Sequence, residues 1–137
     1  MELDLKDIAI ELANATLVED FETESRCRLK IQMMVLDQII KFGTCYSTLE
    51  TLADFADDDA VSIVLYRIAI AEAMHSQQDS TSAQFSLAQL LINGDDVQFS
   101  TLLALLPTID RNRLDDFEVN IMRQIDEIVK LKLDSQE

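Results

Sequence analysis

The chain has 137 residues, 48% of them hydrophobic, with two glycines, one proline and no tryptophan; this is the length of one ordinary domain, short of the turn residues that many strands require. Its 26 acidic and 11 basic residues leave a net charge of −15, well beyond the magnitude of about 2 to 8 that keeps a small domain soluble. That sign argues against broad contact with nucleic-acid phosphates or an anionic membrane and makes a basic protein the natural electrostatic complement.

Leu3, Leu5, Ile8, Ala9 and Leu12 recur at helical spacing and predict an amphipathic first helix over 3–17 with an acidic outer face. A second helix is expected over 22–42, with Cys27, Met33, Met34, Leu36, Ile39, Ile40 and Phe42 on a wide apolar arc and Gly43 as its stop. Glu22 and Glu24 at its start and Lys41 near its end suit the helix dipole. Ser47-Thr-Leu-Glu50 has the spacing of a capping box and opens a short third helix over 48–56.

Asp58 or Asp59 can cap a fourth helix over 60–75, in which Val61, Ile63, Val64, Leu65, Ile68, Ala69, Ile70, Ala71 and Met74 leave almost no polar face. Such a helix is expected at the centre of the fold, with Arg67 paired to an acid rather than left free in the core. A polar connector over 75–82 precedes a fifth helix, opened by Ser80 or Ser82 and closed by Asn93-Gly94. Ala83-Gln-Phe-Ser-Leu-Ala-Gln-Leu-Leu-Ile-Asn-Gly-Asp-Asp-Val97 resembles the first helix and turn of a solenoid-type helical repeat, which implies a helical hairpin at this place. No second copy follows at a shift of 34 to 38 residues.

A sixth helix over 97–106 stops at Pro107, and Asp110 is placed to cap a last helix over 111–133. Leu114, Phe117, Ile121, Ile125, Ile128 and Leu131 are its expected inward stripe, widened by Val119, Met122 and Val129 beyond a two-helix seam. The expectation is an all-α single domain over 1–137, with six to seven helices as stacked helical hairpins or an irregular bundle.

Little in the chain spells catalysis. There is no glycine-rich phosphate loop and no nucleophile elbow. A calcium loop starting at Asp57 would have Ser62 sixth and Ile68 twelfth, and one starting at Asp54 would have Asp59 and Leu65, where a glycine and a bidentate glutamate are needed. Cys27 and Cys45 have no CxxC spacing and read as reduced core residues. Glu72-x-x-His75 has the spacing of one half of a di-iron site, and His75 is the only histidine, so that chemistry needs a symmetric dimer.

Charge is unevenly placed. Residues 1–25 carry eight acids and one base, residues 44–110 carry ten acids and one base, and residues 26–43 carry four bases and one acid. The leading expectation is a non-catalytic acidic protein without cofactor or metal that binds a basic protein through Asp54, Asp57, Asp58, Asp59, Asp95 and Asp96. Its most concrete form is an immunity protein that inhibits a nuclease-type toxin by occupying a cationic groove. One alternative is an acidic adaptor or secretion-type chaperone, marked by exposed Met and Leu in a groove. The other is a dimeric metalloprotein using Glu72 and His75. A homodimer is left open. The acidic start and the lack of a long uncharged apolar run point to a cytoplasmic protein that contacts neither membrane nor nucleic acid directly.

Overall fold

The computed structural model describes residues 5–135. The expected helical start at Leu3 and the side chain of Leu5 lie outside that description. Seven α-helices and no strand occur among the described residues: α1 (Leu5–Leu17), α2 (Phe21–Phe42), α3 (Tyr46–Asp54), α4 (Asp59–His75), α5 (Thr81–Leu91), α6 (Asp96–Leu105) and α7 (Asp116–Ser135). Single 3-10 turns, Leu106–Thr108 and Arg111–Arg113, separate α6 from α7. Backbone contacts group the chain into two compact units, residues 1–72 and 73–137, with α4 running through the boundary.

In the first unit, α1 and α2 form a hairpin, and α3 packs on α2. The hairpin turn rests on Glu19, which adopts φ +57°, a conformation that lets the Asp20 N–H reach the Ala15 carbonyl at 2.9 Å. Asp20 then caps α2 by accepting from the Thr23 N–H and hydroxyl, and those bonds hold its carboxyl below the usual range. The core is Ile8 and Leu12 of α1 against Cys27, Ile31 and Val35 of α2, with Leu52 and Phe55 packed onto it. Cys27, Ile31 and Val35 sit four residues apart, so one narrow stripe of α2 is inside. Two polar ties hold the next elements in place. Gln32 Nε2 donates to the Phe55 carbonyl, and the buried Ser62 hydroxyl donates to the Ala53 carbonyl, both at 2.9 Å.

In the second unit, α5 and α6 form the expected hairpin, and α7 packs on α5. Asp95 and Gln98 make a reciprocal capping box at the start of α6. Gly94 leaves room for it, because a Cβ there would fall 1.6 Å from the Gln98 side-chain oxygen. Phe85, Leu87, Ala88, Leu91, Phe99 and Leu102 are buried with Met122, Ile125 and Val129 of α7. Lys132 closes the C-terminal end of α5: its ammonium donates to the Ile92 carbonyl at 3.4 Å and lies 5.1 Å above the Phe99 ring. Arg111 holds Asp126 of α7 through two hydrogen bonds of 2.5 and 2.9 Å.

Several expectations are corrected. Asp110 caps the turn Arg111–Arg113, while α7 starts five residues later, with Asp115 and Glu118 as its capping pair. The cap of α3 is Cys45 with Thr48, not Ser47 with Glu50; Glu50 instead accepts from the Tyr46 hydroxyl. α4 is not an all-round buried helix: Tyr66, Ala69 and Ala73 are inside, whereas Val61, Val64, Ile68 and Met74 are exposed. Arg67 is exposed too, and makes no ion pair among the described residues. Along α7 the inner stripe is Met122, Ile125 and Val129, leaving Phe117, Ile128 and Leu131 outside. Cys27 is a core residue, but Cys45 is exposed, and both are free thiols.

Candidate partner-binding groove

The six acids singled out in the sequence divide between the units. Asp54, Asp57, Asp58 and Asp59 lie in the first, and Asp95 and Asp96 in the second. Asp95 is occupied by its capping role, accepting from the Gln98 N–H at 3.0 Å, and Asp96 sits exposed in the first turn of α6, where the dipole favours it.

The four acids around the α3–α4 connection have different surroundings. Asp54 ends α3 and accepts a hydrogen bond from the Tyr66 hydroxyl of α4. The residue is exposed overall, yet protein atoms crowd the carboxyl and push its pKa up; the Tyr66 hydrogen bond opposes that shift and the nearby Glu50 charge adds to it. Asp58 caps α4, accepting from the Ala60 N–H at 2.8 Å. Asp57 points mostly into solvent, 4.0 Å from the Arg28 guanidinium, which also contacts Glu24 at 3.3 Å. Asp59 is the exposed first residue of α4. Local structure therefore accounts for Asp54 and Asp58, while Asp57 has the long contact to Arg28 and Asp59 is exposed.

Asp57 and Asp58 stand at an apolar groove whose place the sequence did not give. Its cavity volume is about 310 Å³. Gln32 and Leu36 form the α2 wall, Val61 and Leu65 the α4 wall, and Leu52 and Ala56 the remainder of the lining. Both walls continue as exposed apolar side chains: Leu29, Met33 and Ile40 on α2, Val64 and Ile68 on α4. Large apolar patches exposed on a folded protein mark contact sites. The signal was present in the sequence as apolar arcs too wide for the core they serve.

A second, smaller cavity of about 110 Å³ lies between α2 and α3, lined by Met34, Val35, Gln38, Ser47, Thr48 and Thr51. Near it, Cys45 caps α3. Hydrogen bonds from the Thr48 side chain and backbone lower its thiol pKa, against the opposing effect of burial. The Cys27 thiol is pushed up by burial in the core. Glu72 and His75 occupy the last turns of α4, and among the described residues no group of three or more His, Cys, Asp or Glu side chains gathers where it could hold a metal ion. No helix of the described residues is long and apolar enough to cross a membrane.

Fold and groove together define an all-α protein with an open apolar cleft edged by acids. Neither the family models, nor the curated proteins, nor the solved structures contain a match to this chain.

Proposed function

We propose that this protein is a non-catalytic interaction module that holds a basic, amphipathic helical segment of a partner protein in the groove between α2 and α4. The observation that carries the reading is the juxtaposition of the Leu36, Leu52, Val61 and Leu65 side chains with Asp57 and Asp58 in one cleft. Apolar anchors on one face of a helix fit such a floor, and Lys or Arg on the flank of that helix would meet the acidic rim. The exposed Met33, Leu29 and Leu36 are the feature that an adaptor or chaperone requires. Inhibition of a nuclease toxin needs only the acidic field, so the groove favours the adaptor reading.

The test is binding of two fluorescent model helices, one with leucines on one face and lysines on the other, one with glutamates in place of the lysines. The basic helix should bind in the micromolar range and the acidic one not at all. Leu65→Glu in the α4 wall should abolish binding, and Asp57→Lys with Asp59→Lys should weaken it and flatten its salt dependence. Asp58 is kept in these variants because it caps α4. Equal binding of both helices, or binding unchanged by Leu65→Glu, removes the groove from the function.

A further inference from the structure

We infer that two copies of this chain pair through an antiparallel seam formed by the outer face of α2. Leu29, Met33, Leu36 and Ile40 are 56%, 62%, 48% and 83% exposed. Their spacing of four, three and four residues is the period of a helix that keeps one seam against another helix. They lie on the side of α2 opposite the buried Cys27 and Ile31. α2 is also the longest helix of the described residues, at 22 residues.

The flanking charges select the occupant and its direction. In an antiparallel pair, Leu29 stacks on Ile40 of the other copy and Met33 on its Leu36. The two-fold axis then passes between Met33 and Leu36. The positions following the seam on one flank are Lys30 and Asp37, and this register sets Lys30 of each copy beside Asp37 of the other, twice per dimer. A parallel pair would instead bring Asp37 near Gln32 and Lys30 near Ser25, with no opposite charges matched. Lys30 makes no ion pair among the described residues, and Asp37 meets Lys41 of its own helix at 2.9 Å on the surface. The stretch 26–43 is also the one segment where bases outnumber acids four to one. Two copies with −15 charges each approach there with the least acid facing acid.

Four side chains make a small seam, at or below the lower edge of a specific interface, about 1,000 Å² for the pair. The expected dimer is therefore reversible, with dissociation in the micromolar range. The seam shares Leu36 with the groove lining, and Leu29, Met33 and Ile40 lie on the same helix beside it. The test therefore reads the mass of the protein alone, with no peptide present, and turns on the Lys30 and Asp37 charges, which the groove does not use.

Sedimentation equilibrium of the full chain from low micromolar to sub-millimolar concentration should show reversible conversion to twice the monomer mass. Lys30→Asp alone and Asp37→Lys alone each place like charges in both of the symmetry-related pairs and should weaken dimerisation by about 10-fold. The double variant Lys30→Asp/Asp37→Lys restores opposite charges and should recover most of that loss. Met33→Glu should give monomer throughout, with an unchanged helical circular dichroism spectrum. A wild-type chain that stays monomeric over the whole range overturns the inference. So does a double variant as weak as the singles, because the antiparallel register requires the rescue.

Discussion

The hydrogen bond from Tyr66 to Asp54 is the contact whose removal reports most directly on how α4 is fixed to α3. Tyr66 is 5% exposed, so Tyr66→Phe keeps the buried ring and deletes the hydroxyl. A hydrogen bond to a charged group contributes about 1.5–3 kcal/mol. Asp54 is exposed on one side, which screens the charge, so the lower end applies and the expected loss at neutral pH is about 1.5 kcal/mol. The pH dependence has a definite sign. Crowding of the carboxyl raises the folded-state pKa above its ordinary 3.8, so the folded protein holds that proton more tightly than the unfolded chain. The stability linked to Asp54 is thus fully present below the ordinary value and is lost as pH rises through the folded pKa. At neutral pH the ionised carboxyl is a burden that the Tyr66 hydroxyl reduces. Without that hydroxyl the burden grows, so the gap between wild type and Tyr66→Phe should be widest at neutral pH and shrink to about 0.5 kcal/mol once Asp54 is protonated, when only a neutral hydrogen bond is at stake. Urea unfolding followed by circular dichroism at several pH values measures the gap, and a double-mutant cycle with Asp54→Asn isolates the pair. A gap that is negligible at neutral pH, or constant from neutral to acid, would refute the assigned contact.

Other expectations concern the core, the ion pairs and the thiols. Leu102→Ala, at a fully buried position, should cost about 3 kcal/mol in urea unfolding, while Phe117→Ala on the outer face of α7 should cost under about 0.5 kcal/mol. Asp126→Asn breaks the paired hydrogen bonds to Arg111 and should cost about 0.5–1 kcal/mol at low salt, shrinking at about 1 M salt because both partners are partly exposed. Asp58→Ala should cost about 1 kcal/mol through the lost cap of α4. Iodoacetamide should label Cys45 in the native protein and Cys27 only after unfolding; Thr48→Val should slow the Cys45 reaction near neutral pH by returning its pKa toward the ordinary thiol value.

Helix number and order were legible because they rest on local chemistry: Gly43 and Pro107 as stops, Asp58 as the cap of α4, apolar periods between them. Which face of each helix turns inward was not. α7 carries apolar residues over so wide an arc that two stripes, one through Ile121 and Ile128 and one through Met122 and Val129, serve equally by period. Tertiary packing chose the second. α4 shows why an almost wholly apolar helix gives no phase at all: the buried side is the one with Ala69 and Ala73, whose small side chains let backbones approach, while Val64 and Ile68 are left outside. Arg67 follows from the same choice, since a helix with an exposed face has water to offer a guanidinium. The groove was invisible for a related reason. Its walls come from residues about 30 positions apart, Leu36 and Leu65, and their meeting depends on the α3–α4 connection that Gln32 and Ser62 fix in place.

The excess of acid and the exposed apolar faces explain each other. A chain with Leu29, Met33, Ile40, Val64 and Ile68 at its surface would associate indiscriminately if it were neutral, because apolar contact is non-directional. A net charge of −15 imposes repulsion between any two copies that meet at random and leaves two routes to burial. One is a partner segment whose own positive charge cancels the field at Asp57 and Asp59. The other is the single basic stretch, 26–43, where a second copy can approach. Reducing the charge should therefore relax specificity before it affects folding: Glu→Gln changes at Glu11, Glu22 and Glu127, all exposed and in neither candidate contact, should leave the urea midpoint nearly unchanged. The same changes should bring on light scattering at lower protein concentration. If scattering does not change, the acids are not what holds those faces apart.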